Sequence, residues 1–480
     1  ITAEVIRSCW IDRQVVMVNR WYLGRSKGAD LPPVKPHIPL ANAMISLPSI
    51  GTCTTGIYFI LVLLSIHPSF SAKQPTTKLR EAVKDGNHQL VYHLDSQGHD
   101  IHQTDPTGYA QSLLHLACEH GQLDMVYILA VELDGKKYHK GWKNDYMNKS
   151  PHHYAVEFDH CSLIPHLIDL DGFNDLDVTD VNGRTPMAWA AWHGRLSCID
   201  ILAARHGKTG CQVEACMRNG ATVTTTDVHG ETPLHHAARE GYLEAVKKLV
   251  GLGAAIDIRN TGGTASVGSQ PIHLAAKWGH ASIVQYLVDV GADIDAVTEE
   301  SFTPLHFAAI NGRVEAVKVL LALGASVDLA DVYNKTPLIS SAMNNAATVM
   351  ELLYEADADV LFCTGKTPNH VQPIHFAAAH RAIDAVRLLL CWGVDVDTED
   401  DEGWTPLFFA IHGVGDEGGS HVGSEEMVKE LYDKGANIYH TLTNDDGPLD
   451  PVAFAHEQGE KDLVQLIGNW QIDGEIENDI

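Results

Sequence analysis

One apolar stripe recurs along the chain. Val246, Leu249 and Val250, then Val284, Leu287 and Val288, then Val317, Leu320 and Leu321, then Val386, Leu389 and Leu390 all follow an i, i+3, i+4 spacing. That spacing sets three side chains on one face of a helix and predicts an amphipathic helix with one buried side. Gly253-Ala254, Gly291-Ala292-Asp293, Gly324-Ala325 and Gly435-Ala436-Asn437 follow such stripes and end the helix. Polar runs such as residues 227–230 then turn the chain into projecting hairpin fingers.

Ahead of each stripe the spacing predicts a shorter helix. Thr232-Pro233 provides an N-cap hydroxyl and a fixed φ at the first helical position, where a missing N–H costs nothing. Eight residues after the proline slot stand Gly86, Gly121, Gly194, Gly241, Gly279, Gly312 and Gly459, suited to a left-handed helix end that a side chain would resist. The helix between is about two turns long. Small pairs, Ala237-Ala238, Ala275-Ala276 and Ala308-Ala309, let the second helix lie close.

The proline slot falls at Lys78, Leu113, Pro151, Pro186, Pro233, Pro271, Pro304, Pro337, Pro373, Pro406 and Pro451, eleven in all. The spacing stays near 33 residues in the middle and stretches elsewhere, as expected of a repeat array with loop insertions. With Thr232-Pro233-Leu234-His235, Ala237-Ala238 and Gly241 as the fullest statement of the motif, the chain resembles the ankyrin-repeat family over about 76–468. The strongest copies are 227–257 and 270–295.

The resemblance implies an all-α repeat solenoid of stacked helix-turn-helix units with β-hairpin fingers. It also implies a non-catalytic protein-protein interaction scaffold or adaptor that holds a partner protein or peptide on its concave surface. Asp159, Asn345, Arg381 and Val414 replace the helix-ending glycine, and Ala188, Ile339 and Phe408 replace the motif histidine. Local distortion is expected in those copies.

The organisation expected is a non-repeat segment over 1–75, an array of about eleven copies over 76–468 and an acidic tail over 469–480. With 34 basic and 62 acidic residues the chain carries a net charge of −28. Such a surface repels phosphates and anionic lipid and steers basic proteins or peptides toward it. Nucleic acid is therefore excluded as a partner.

Cys118, Cys161, Cys198, Cys211, Cys216, Cys363 and Cys391 lie in the array without close pairs. They read as small buried apolar residues of a reducing compartment, which favours a cytoplasmic location. Against this, residues 57–66 form a ten-residue apolar run. It is shorter than the roughly 20 residues that span a bilayer and closer to a signal-peptide core. Any membrane or export role rests on residues 44–66. A secretory, membrane-tethered or plastid-imported protein is the alternative, as is the regulatory subunit of an enzyme encoded elsewhere.

Several motifs tempt a chemical reading. His115, His153, His235, His273, His306 and His375 share one slot, two after the proline slot, where the resemblance implies hydrogen bonds between neighbouring copies. Gly365-Lys366-Thr367 and Gly207-Lys208-Thr209 resemble the end of a phosphate-binding loop, but Val360 and Leu202 stand where its first glycine belongs. Asp395, Asp397, Glu399 and Asp401 alternate like calcium ligands, but Glu402 and Phe408 hold the glycine and bidentate-glutamate places. Asn148-Lys149-Ser150 is a lone glycosylation sequon followed by Pro151. No catalytic set, cofactor site or metal site is expected.

Partner-binding positions follow from the repeat ruler. Large or charged residues at the exposed end of the first helix and on the fingers are free of scaffold duty and match the makeup of interface anchors. Those expected to bind are Trp192, Arg239, Trp278, Phe302, Ile310, Tyr333, Met343 and Trp404. Insertions over 133–149, 205–219 and 413–423 are secondary candidates for binding loops.

Overall fold

A computed structural model describes residues 75–105, 110–133, 144–170, 175–204, 206–207, 217–218, 220–263, 266–362, 370–413, 423–444 and 447–478. These residues form eleven helix pairs in chain order. Pairs one to four are α1 Pro75–Lys84 with α2 His88–Ser96, α3 Leu113–Glu119 with α4 Leu123–Tyr127, α5 Pro151–Glu157 with α6 Ile164–Asp169, and α7 Pro186–Trp192 with α8 Leu196–Ala203. Pairs five to eight are α9 Pro233–Glu240 with α10 Leu243–Gly251, α11 Pro271–Trp278 with α12 Ala281–Asp289, α13 Pro304–Ile310 with α14 Val314–Ala322, and α15 Pro337–Met343 with α16 Ala347–Glu355. Pairs nine to eleven are α17 Pro373–Ala379 with α18 Ile383–Cys391, α19 Pro406–His412 with α20 Glu425–Asp433, and α21 Pro451–Gln458 with α22 Lys461–Asn478. Each pair is one repeat, numbered one to eleven. Two short antiparallel strand pairs, His206–Gly207 with Met217–Arg218 and Leu442–Asn444 with Gly447–Leu449, lie outside the helices.

Each repeat leans on the next. From repeat two onward, first helices stack on first helices, and second helices form a looser layer behind them. The first helices form the more closely packed of the two layers. The apolar stripes lie between the layers: Val246 and Leu249, Val284 and Leu287, Val317 and Leu320, and Val386 and Leu389 are fully buried. Both residues of each alanine pair named above are also buried, which gives the close helix approach that their size permits.

The motif histidine ties local to long-range structure. In repeat five the Thr232 N–H donates to His235 Nδ1 at 3.1 Å. The ring proton therefore sits on Nε2, which donates to the carbonyl of Ser269 in repeat six at 3.2 Å. The same link runs from His115 to Lys149 O, His153 to Arg184 O, His273 to Ala296 O, His306 to Lys335 O and His375 to Thr398 O, at 2.9–3.0 Å. One imidazole thus caps its own helix and pins the next finger. Burial holds the pKa of His115, His153, His235 and His273 down at about 4, because the charged ring would lose its hydration.

Two expectations change. Asp159, Asn345 and Arg381 take the left-handed conformation at φ 65°, 51° and 61°, so the helix ends as it does at glycine and the anticipated distortion is absent there. At Ala188 and Ile339 the helix is still capped by Thr185 and Thr336; only the link to the next repeat is lost. Val414 lies outside the described residues.

The reading of the cysteines also needs correction. Cys161 and Cys198, 37 residues apart, form a disulfide across repeats three and four with Cα atoms 5.0 Å apart. Their separation in sequence concealed that the turn ahead of α6 lies against α8 and brings them together. Cys118 is free and buried and Cys391 is free and exposed. The other array cysteines, 211, 216 and 363, fall outside the described residues.

Beyond residue 468, where a tail was expected, α22 continues. Trp470 stacks on Tyr432 with centroids 4.0 Å apart, and Gln471 Nε2 donates to Ile438 O at 3.0 Å. The segments 1–74, 134–143 and 414–422, with the apolar run, the bulk of two insertions and both loop-like lysines at 208 and 366, are outside the described residues.

Candidate interaction surface

The fingers are shaped by aspartates. Asp180, Asp227, Asp331 and Asp400 each use Oδ1 to accept from the N–H groups two and four residues on, at 2.8–2.9 Å. This Asx geometry closes each fingertip. Adjacent tips then hydrogen-bond in a ladder: Val181 N to Met147 O, Val228 N to Asn182 O, Thr261 N to His229 O, Glu299 N to Val267 O and Val332 N to Glu300 O, at 2.7–3.1 Å. The result is a linked strip of fingertips from Met147 to Val332.

All eight expected binding residues lie at first-helix ends or on fingers, but they are not equally available. Tyr333, at the tip of the finger that precedes repeat eight and is numbered with it, is 67% exposed, and Trp278, the last residue of α11, is 42% exposed. Ile310 and Met343, each closing its helix, are half-buried. Trp192 is stacked between Arg184, 4.1 Å from its centroid, and His236, whose ring lies 7° from parallel. Phe302 packs edge-on to His306 and against Phe307. Trp404 meets Phe408, Phe409, His412 and Phe454 at centroid distances of 5.1–6.4 Å. The Arg239 side chain, 10% exposed, is paired with buried Glu231.

One cluster escaped the motif reading. Asp227, Glu231 and His236 converge in repeat five, fully buried, with His236 Nε2 3.3 Å from Asp227 Oδ2. The signal was a histidine in a slot that other copies fill with Trp189, Leu274 or Phe307. The donor types suit a metal ion, but Arg239 pairs with Glu231, and Arg184 Nε lies 3.8 Å from Asp227 Oδ2. Two guanidiniums already balance two carboxylates beside His236, so a divalent ion would leave two uncompensated positive charges in a buried space. Burial acts to raise the Asp227 pKa. Interaction with His236 and the N–H groups of Glu231 and His229 outweighs it, and the carboxyl stays below its usual range. The cluster is a polar joint between repeats four and five. The alternating acids of finger ten likewise hold turns: Asp395 accepts from Asp397 N, and Asp397 from Asn437 N.

A family model for ankyrin repeats in sets of three copies matches overlapping windows that span residues 79–442. The chain belongs to the ankyrin-repeat family, whose arrays are protein-interaction folds. Among curated proteins it is similar to the target of rapamycin complex 2 subunit AVO2 of Saccharomyces cerevisiae, 26% identical over 165 residues, which is 27% of this chain and 37% of the relative. It is also similar to protein phosphatase 1 regulatory subunit 27 of Homo sapiens, 36% identical over 106 residues, which is 22% of this chain and 60% of the relative. The chain thus spans less than two thirds of the length of these relatives. The solved ankyrin repeat domain of human ASB11 matches 53% of this chain and 99% of its own at 21% identity, with a TM-score of 0.40. Among the described residues no helix is long and apolar enough to cross a membrane.

Proposed function

We propose that this chain is a non-catalytic adaptor whose inner face of first helices and fingers holds a partner protein or peptide. The observation that carries this reading is the exposure of Trp278 and Tyr333 on a scaffold whose other large first-helix residues are half-buried, buried or stacked. Large aromatics held on a preordered frame lose little entropy on binding and serve as anchors. The net charge of −28 favours a partner of basic character and disfavours nucleic acid. No cofactor and no catalytic residue belong to this reading.

The relatives are named as a subunit of one complex and a regulatory subunit of a phosphatase. That supports a second form of the same reading, in which the partner is an enzyme encoded elsewhere. A cytoplasmic location no longer draws on unpaired thiols, since Cys161 and Cys198 are joined; an export route and a membrane role for residues 44–66 stay open with it. Replacing Trp278 and Tyr333 together by Ala is expected to weaken cross-linking to the native partner at least about tenfold. The thermal melt should move by less than about 0.5 kcal/mol in stability. A large loss of stability would instead make these residues core and defeat the proposal.

A further inference from the structure

Two clusters in the array bring metal-ligating side chains together, and their charges separate them. At Asp227, Glu231 and His236 two guanidiniums already balance the carboxylates. The second cluster is Asp159, Cys161 and Cys198, at the joint between repeats three and four, with one donor atom from each within 4.8 Å of the others. Among the described residues the cation paired with it is Arg195, whose Nη1 lies 3.2 Å from Asp159 Oδ2 and whose Nη2 donates to the Glu157 carbonyl at 3.3 Å.

In the structure the two sulfurs are joined as a disulfide. A two-electron reductant such as a dithiol opens it: two electrons and two protons pass to the S–S bond, two thiols form, and the reductant becomes a disulfide. Once both thiols have lost their protons, the cluster holds three negative charges against the one positive charge of Arg195. A single divalent cation brings the sum to zero, and each thiol releases its proton to water as its sulfur binds the ion.

We propose that Cys161 and Cys198, when reduced, bind one thiophilic divalent cation of the zinc class together with Asp159. Zinc takes thiolate sulfur and carboxylate oxygen in a tetrahedral set. Asp159 Oδ1 lies 3.5 Å from Cys161 Sγ, whereas Oδ2 is turned to Arg195. Arg195 therefore orients the carboxylate and leaves one oxygen directed at the sulfurs, the kind of support that ligating carboxylates ordinarily receive. Cys161 and Cys198 are 4% and 0% exposed, but the Asp159 side chain is 51% exposed, so the ion enters past Asp159 and water completes its fourth position. The neighbouring His160 ring lies against Gly121 of repeat two and does not belong to the set. Since Cys161 stands in the turn ahead of α6 and Cys198 in α8, the bound ion ties the same two repeats as the disulfide. The joint then keeps a covalent or coordinate tie in either redox state.

The test uses the full chain, reduced with a phosphine and titrated with cobalt(II) and zinc(II). The chain has nine cysteines, so the site is read as the difference from Cys198→Ser. Expected is one more cobalt ion than Cys198→Ser binds, with a thiolate-to-cobalt charge-transfer band and the visible bands of a tetrahedral ion. The unreduced chain should lack that ion, and Asp159→Asn, which keeps both sulfurs, should bind it at least about tenfold more weakly. Zinc should also slow the return of the Cys161–Cys198 disulfide in air, followed by peptide mapping; this readout needs no variant and decides the matter if Cys198→Ser does not fold. A cobalt spectrum unchanged by Cys198→Ser, an affinity unchanged by Asp159→Asn, reoxidation indifferent to zinc, or a disulfide that the reductant does not open in the folded chain would each overturn the proposal.

Discussion

Two of the three joints at which Ala188, Ile339 and Phe408 replace the motif histidine are mended in different ways. Between repeats four and five, where Ala188 replaces it, Arg184 lies over Trp192, Trp192 stacks on His236, and His236 sits beside Asp227 and Glu231. Between repeats eight and nine, where Ile339 replaces it, Asn345 Nδ2 donates to Asp384 Oδ2 at 3.2 Å and Asn345 Oδ1 accepts from Ala385 N at 3.0 Å. There Tyr354 also stacks on Trp392 with centroids 4.3 Å apart. The first repair is buried and charged; the second is half exposed and largely neutral. The difference shows that the stack needs some tie at each joint but not a particular one, and that the choice of tie sets how firmly the adjoining fingers are held.

A second tie follows the same division. Gln122, Arg195, His280 and Arg313 each reach back to a carbonyl at the end of the preceding first helix, at 2.7–3.3 Å, where the helix dipole welcomes a donor or cation. The corresponding positions in repeats eight and nine are Ala346 and Ala382.

The largest expected effect separates the histidine joints from both repaired ones. The folded-state pKa values of His115, His153, His235 and His273 lie at about 4, below the unfolded value of about 6.5. The unfolded chain therefore binds more protons between these limits. Stability is fully present above about pH 6.5 and is lost as pH falls toward 4, by roughly 3 kcal/mol for each of the four. Burial lowers His306 and His375 in the same direction. Urea midpoints between pH 7 and 4 should fall steeply, and hydrogen exchange should show the histidine joints opening ahead of the joint between repeats eight and nine. A flat urea midpoint over that range would refute the neutral-imidazole account.

A smaller and local effect is expected at the charged repair. Glu231→Ala leaves Arg239 and the His236 pocket without their carboxylate, and breaking a buried pair from one side costs about 3–5 kcal/mol. Exchange protection should drop in α7 and α9 while α15 and α17 are unchanged. A loss below about 1 kcal/mol would mean that the Arg184–Asp227 side holds the joint unaided.

The repeats were legible because each motif residue has one mechanical task that recurs: Thr232 caps, Gly241 turns left-handed, and Val246 with Leu249 faces the core. The tautomer of His235 follows from the same local geometry. Pairs that depend on the stacking of distant copies left no local trace. Cys161 and Cys198 are 37 residues apart, and Asp227 with His236 reads as an ordinary finger and helix until Arg184 is brought alongside. The ruler put the binding candidates at first-helix ends and on fingers, yet spacing carries no information on what covers them. Trp192 and Trp404 meet aromatic neighbours from the next repeat, His236 and Phe454, while among the described residues no ring packs on Tyr333.

The smallest effect probes the neutral repair through its backbone. Arg381 and Asn345 both sit in the left-handed region, where a side chain costs about 1 kcal/mol or more and glycine does not. Arg381→Gly should relieve that strain and, after the greater freedom of glycine in the unfolded chain is deducted, raise stability by up to about 1 kcal/mol. Asn345→Gly relieves the same strain but removes both bonds to Asp384 and Ala385, each worth about 1 kcal/mol, so stability should fall. Chemical denaturation of the two variants side by side decides the matter. If both rise, the Asn345 bonds contribute nothing to the joint. If both fall, the left-handed residues are held by contacts stronger than their strain.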